Sequence, residues 1–302
     1  MDSSEHPGVP QRPPASAHLL IDSLDRYDNL RDVALKNPDI PGNDFTVSKK
    51  NALLYGYFTR LGITQIQLQY RAPTIIPNIN DQFVIYASAG QNYYTVDLSG
   101  GYYTAASLAA AVQAAVLAIP TTPFPAFTCT YTAATGSFVM TCPTVNFSLA
   151  VETGAPYTDA QAKVWQRTFN TLGGTYSNIQ LFSANTQQLG TPQLLYTRWV
   201  DIVSDRLTKF QRVKDADTLL TNKTNIVARV YLTAPNTRVD PSVSGGPFDL
   251  TWDPNTPKHI KWSPNEAVHE LDFRLYDEYG ELLYWSPRAD TEFQITIVAS
   301  ET

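Results

Sequence analysis

Four histidines, two cysteines and several close aspartate pairs are the residues of this sequence best equipped for chemistry. His6, His18, His259 and His269 would have to be brought together to hold a metal. None has the spacing that puts two imidazoles on one helix face, and none lies near a cysteine, so no metal site is expected. Asp22/Asp25, Asp201/Asp205 and Asp215/Asp217 are carboxylate pairs of the kind jelly-roll glycosidases use as acid and nucleophile. Spacing along a chain does not fix separation in space, and solvated loop acids are the plainer reading. Cys129 and Cys142 flank a predicted hairpin and could approach each other diagonally across it; two buried thiols are expected in a reducing compartment. Gly100-Gly101 precedes a helix pattern but lacks the rest of a phosphate loop, and no GxSxG or dinucleotide fingerprint occurs. No catalytic residue and no cofactor emerge, so the sequence reads as a binding or assembly protein and not an enzyme. Asn146-Phe147-Ser148 and Asn222-Lys223-Thr224 match the glycosylation sequon but lack a secretory context. Tyr93, Tyr94, Tyr102 and Tyr103 are candidate contacts for a receptor or glycan; strand and turn packing is the alternative.

Composition narrows the partners. The 302 residues are 43% hydrophobic, 12% aromatic and 17% charged, with a net charge of -6. Affinity for nucleic acid comes largely from cations that displace counterions from phosphates. The excess here is acidic and Lys49-Lys50 is the only adjacent basic pair, so direct genome binding is not expected. No run approaches the ~18 apolar residues of a membrane span. No charged stretch followed by an apolar run opens the sequence, so a chain made inside the cell is expected.

The elements that must position these residues are mostly strands. Pro7, Pro10, Pro13 and Pro14 forbid regular structure at the start, and residues 1–44 read as an arm. Within it Leu19, Leu20 and Ile21, with Arg26 following, are apolar enough to dock on something, which makes them a candidate assembly arm. Ile66, Leu68 and Tyr70 alternate with Gln65, Gln67 and Gln69, the period of a half-buried strand, and residues 82–88 form a second. Residues 91–190 carry five charged side chains, far fewer than their flanks. This stretch predicts a strand over 93–98 and a helix over 105–117 capped by Thr104. A hairpin over 127–142, a strand over 147–151 and a second helix over 158–170 follow. Strands then return over 194–204, 225–233, 248–252, 268–276, 281–285 and 293–299. The simplest account is an all-β sandwich interrupted by a small α+β module.

Several stretches in order carry a family resemblance. They are Ile21 to Arg26, Asn43 to Val47, Leu61 to Tyr70 leading to Pro77-Asn78-Ile79-Asn80, and Leu194 to Ile202. Ser204, Leu207-Thr208 and Val213-Lys214-Asp215 come next, and Leu271 to Leu283 with Phe293 to Ile297 close the series. This order resembles the minor capsid protein, or penton, of virophages, polinton-like viruses and related large eukaryotic DNA viruses. The resemblance implies a single jelly-roll β-sandwich with an inserted small α+β domain: jelly roll over 45–90 and 191–302, module over 91–190. It implies a virion protein that forms homopentamers at the five-fold vertices and contacts the major capsid protein there, after assembly inside the host cell. The module, beginning Val96 to Thr104, would face outward toward a host receptor or glycan. The family offers no catalytic residues. A lectin-like or receptor-binding spike using the module is the alternative.

Overall fold

The computed structural model describes residues 16–27, 41–49, 51–87, 92–120, 124–150, 158–174, 184–211, 225–232, 246–263, 266–284 and 292–301. Alternating side chains build the strands β1 (Ser16–Asp22), β2 (Asp44–Ser48), β3 (Arg60–Tyr70), β4 (Gln82–Ala87) and β5 (Asn92–Asp97). Helix α1 (Ala105–Leu117) leads to β6 (Thr128–Thr132), β7 (Ser137–Thr141) and β8 (Phe147–Ala150). Helix α2 (Asp159–Thr171) precedes β9 (Thr186–Gln188), β10 (Trp199–Val203), β11 (Ile226–Tyr231) and β12 (Phe248–Trp252). The series closes with β13 (His259–Lys261), β14 (Glu270–Tyr276) and β15 (Phe293–Ser300). Among the described residues no helix is long and apolar enough to cross a membrane.

The chain divides into two units, one from residues 1–68, 199–231 and 251–302, the other from 69–198 and 232–250. The first is a jelly-roll-like sandwich, so the fold is all-β with a second, α+β unit. One sheet has the order β1-β15-β3-β12, with β13 also on β3; the other runs β11-β10-β14-β2. Strict period-two burial explains why these strands form. In β14, Leu271, Phe273 and Leu275 point inward and Glu270, Asp272 and Arg274 outward; in β15, Phe293, Ile295, Ile297 and Ala299 do the same. The inward sets meet between the sheets, where Phe293 of β15 packs on Phe273 and Phe45 with ring centroids 6.0 and 6.3 Å apart. Burying such rings stabilises the fold by about 2 kcal/mol each.

The second unit carries the sheets β5-β4-β8 and β6-β7-β9 together with both helices. Its core joins Ile75, Phe83, Leu108, Val112, Phe138 and Met140 to a ring cluster in which Phe124, Phe127 and Phe147 meet edge to face. Thr104 and Thr158 cap the helices. Their hydroxyls accept from the Ser107 and Gln161 amides at 3.2 Å each, and each of those side chains reaches back to the cap. Such reciprocal caps satisfy two otherwise orphaned amides. Gly173, at φ +88°, ends α2 where a Cβ would strike Gly190.

Leu19, Leu20 and Ile21, expected to dock, lie in β1, which pairs antiparallel with β15. Two strand expectations need correction. Of residues 194–204 only Trp199–Val203 forms a strand; Leu194, Leu195 and Tyr196 are buried outside any ladder, because an apolar run demands burial and not a particular hydrogen-bond pattern. Of the expected strand over 281–285, the described residues 281–284 make a single bridge, Tyr276 to Leu282, because the turn before them folds Leu283 straight back onto the Leu275 carbonyl, at 2.9 Å.

Candidate functional site

The carboxylate pairs are held by the fold. Asp201 and Arg229 stand directly opposite each other on β10 and β11. Asp201 is only 2% exposed, and Arg229 donates to both its oxygens at 2.6 and 2.8 Å. The same guanidinium lies 5.0 Å from the Trp199 ring centroid. A buried carboxylate needs this charge-assisted, bidentate geometry to offset its desolvation. Asp201 is therefore a paired strand residue, not the solvated loop acid that its spacing suggests.

Asp205 follows in the turn after β10. It accepts from Arg274 and from the Asn225 amide. Burial disfavours the charge on Arg274, but the hydrogen bond and the charge of Asp205 outweigh it and hold the guanidinium above its ordinary pKa. Asp272 organises the same turn, accepting from the Ser204 hydroxyl at 3.1 Å and the Arg206 amide at 2.8 Å. Ser204 accepts from the Leu207 amide, and Thr208 donates to the Ser204 carbonyl at 2.8 Å. Ser204, Leu207 and Thr208 are wholly buried, so these residues of the family resemblance are the ones this turn requires. Asp22 and Asp25 likewise organise a turn: Asp22 accepts from the Leu24 amide at 2.8 Å, and Asp25 accepts from the Asp22 amide at 2.9 Å. Asp215, Asp217, Asn222 and His6 lie outside the described residues.

Among the described residues no group of three or more His, Cys, Asp or Glu is placed to hold a metal. Cys129 faces Met140 across the hairpin, which puts Cys142 at the diagonal position on the same face. Both thiols are free and buried, and burial pushes the Cys129 thiol up to about 12.

The tyrosine candidates divide. Tyr94 and Tyr103 pack against the core of the second unit, Tyr94 edge-on to Phe124 at 5.9 Å. Tyr103 also donates to the Ser99 carbonyl at 2.8 Å. Tyr93 and Tyr102 stay on the surface; Tyr93 packs on Tyr86 at 4.8 Å, and Tyr102 donates to the Arg71 carbonyl. Of the arm candidates, Ile21 is buried in the sandwich, Leu19 is half-buried and Leu20 is 62% exposed. Arg26 is buried and donates to the Ser23 carbonyl.

Sequence reasoning passed over a different surface. Tyr55 and Tyr57 are 86% and 57% exposed on the loop before β3. Beside that loop Thr59, Arg60, His259 and Lys261 line a shallow hollow. The Tyr-Gly-Tyr string was a visible signal, but the cations come together only through the pairing of β3 with β13.

No protein-family model matches the chain, and no curated protein matches it. Two solved structures are similar. The crystal structure of the mavirus penton protein is matched with a TM-score of 0.50 and 11% identity, over 95% of this chain and 100% of that one. A chain of the Sputnik virophage structure obtained by cryo-EM is matched with a TM-score of 0.43 and 11% identity, over 95% of this chain and 98% of that one. The chain thus has the fold of the mavirus penton protein, a jelly-roll-like sandwich. The likeness to the mavirus protein extends through the α+β unit as well as the sandwich.

Proposed function

We propose that this chain is a structural virion protein, a penton that forms homopentamers at the five-fold vertices of an icosahedral capsid and contacts the major capsid protein there. The observation that carries the reading is the fold shared with the mavirus penton protein over the full length of that chain. The carboxylates of the Asp201/Asp205 pair are engaged by Arg229 and Arg274, which favours a structural use for them over an acid–base one. Closing a ring requires a heterologous interface, one patch meeting a different patch on the next subunit. A β-sandwich supplies distinct flanks for that purpose. In this reading β1, with Leu19, Leu20 and Ile21, and Arg26 behind it serve as the anchored end of an assembly arm. The charge-poor unit, with Tyr93, Tyr94, Tyr102 and Tyr103, is the element offered to a receptor or glycan. Electron microscopy of the purified full chain, alone and coexpressed with a double-jelly-roll capsid protein, tests this. Five-membered rings, or density for the chain on the five-fold axes of shells, are expected. A chain that stays monomeric at every concentration and is missing from purified particles overturns the proposal.

A further inference from the structure

The loop before β3 holds its tyrosines outward by anchoring both of its ends. Leu53 and Leu54 bond to the Val268 carbonyl at 2.6 and 3.2 Å, and Val268 returns a bond to Leu54 at 2.9 Å. On the far side Phe58 is buried and the Thr59 carbonyl accepts from the Trp262 amide at 2.9 Å. Gly56, at φ +154°, sits where a Cβ would come within 2.6 Å of the Phe58 ring, so only glycine lets that ring turn in while Tyr55 and Tyr57 turn out. Neither tyrosine has a ring or hydrogen-bond partner among the described residues. Large, stiff aromatic side chains of this kind supply much of the energy at protein interfaces and lose little entropy when they bind.

Beside that loop stands a cluster of basic side chains. Lys261 of β13 is the cross-strand partner of Arg60, and His259 is the partner of Gly62. Direct partners share a face, so all three basic side chains project the same way, with the His259 ring over the space a Gly62 Cβ would occupy. Between them Ile260 is fully buried and Leu61 is 1% exposed, which pins both strands. Like charges directly opposite each other destabilise a sheet. No carboxylate pairs with Arg60 or Lys261 among the described residues. The chain as a whole has an acidic excess, so its surface away from this patch is more acidic still.

From these observations we infer that Tyr55, Tyr57, Arg60, His259 and Lys261 form one half of a heterologous contact whose other half is an acidic surface on a second copy of this chain. The inference rests on the self-assembly proposed above and adds the location and chemistry of the contact. A carboxylate entering between Arg60 and Lys261 would relieve their repulsion, while the tyrosines supply buried area. The residue types are those that dominate interface energetics, and the charges fix the direction of docking. A patch meeting a dissimilar patch is also the arrangement a closed ring needs.

Sedimentation velocity on the full chain tests it with two variants, Y55S/Y57S and R60E/K261E. All four positions are exposed and away from the core, so circular dichroism melts should match the wild type. Each variant should weaken self-association at least about tenfold, the effect of losing a binding hot spot. The wild-type oligomer should also loosen as salt is raised. Oligomers of unchanged strength in both variants would overturn this contact and leave the penton proposal standing. A wild-type chain that is monomeric throughout would overturn the contact and self-assembly together. Binding of a separate capsid protein through these residues, with no self-association, would overturn the assignment of the partner to a second copy.

Discussion

Asp201 in the sandwich and Asn80 in the α+β unit are equally buried, each 2% exposed, yet they are held by different chemistry. The Asp201 carboxylate is matched by Arg229 through two hydrogen bonds. Asn80 is neutral. Its oxygen accepts from the Ile76 amide at 2.7 Å, and its nitrogen donates to the Thr74 carbonyl at 2.8 Å and the Thr171 hydroxyl at 3.2 Å. A buried ion pair is only as good as both of its members, because removing one leaves the other charged in a poor solvent. A neutral amide knitting backbone to backbone carries no such hazard and is indifferent to salt. The sandwich therefore concentrates its vulnerability in a few charges, and the charge-poor unit spreads its own over rings and amides.

Breaking the ion pair should give the largest effect. Arg229→Met strands the Asp201 carboxylate and should cost the sandwich about 3–5 kcal/mol in denaturant unfolding. Hydrogen exchange should show protection lost in β10 and β11 and retained in β4 and β7. Adding Asp201→Leu to that variant should recover most of the loss, since an apolar pair of similar size needs no partner. In the other unit, Asn80→Ala leaves the Ile76 amide and the Thr74 carbonyl unmatched. About 2 kcal/mol should be lost, with exchange quickening around residues 74–80 and not in the sandwich. The remaining effect is absent at neutral pH and appears only in alkali. The native Cys129 thiol is raised from 9.0 to about 12, so it stays protonated where the unfolded chain has begun to ionise. The native state then holds more protons, and stability must fall as pH rises through that window. The stability conferred is complete below pH 9 and gone above 12. Cys129→Ala should flatten this decline in unfolding measured at successive alkaline pH values; an unchanged slope would show that Cys129 is not its source.

What could be read in advance was what is local. Thr104 and Thr158 stand immediately before helix-forming runs, and both cap as expected. The alternation of β14 and β15 is complete within seven and eight residues, so the inward faces were legible too. What stayed hidden depends on distant partners. The stretch from Ser16 to Asp22 looks like an arm because the strand that completes it is more than 270 residues away. Asp201 looks like a loop acid because nothing near it in sequence announces Arg229. The strand β13 has three residues, too few to establish a period, and with it went the juxtaposition of Lys261 with Arg60. The carboxylate pairs were visible as residues but not as partners of arginine. The tyrosine-rich stretch of the α+β unit drew attention by composition, while Tyr55 and Tyr57 stood between segments already assigned to the sandwich.

The position of β15 has a consequence in time. It lies between β1 and β3, so the strand synthesised last of these fifteen occupies the middle of its sheet. Contacts this far apart in sequence close slowly, because a long loop must be ordered before they form. While a ribosome is still working, β1 and β3 have no common neighbour, and Phe45 and Phe273 have no Phe293 to pack against. The α+β unit, whose residues all precede β15, has no such wait for its main sheets. A nascent chain of this protein therefore carries an open sheet until translation has passed Ser300, and Phe45 and Phe273 wait that long for their third ring.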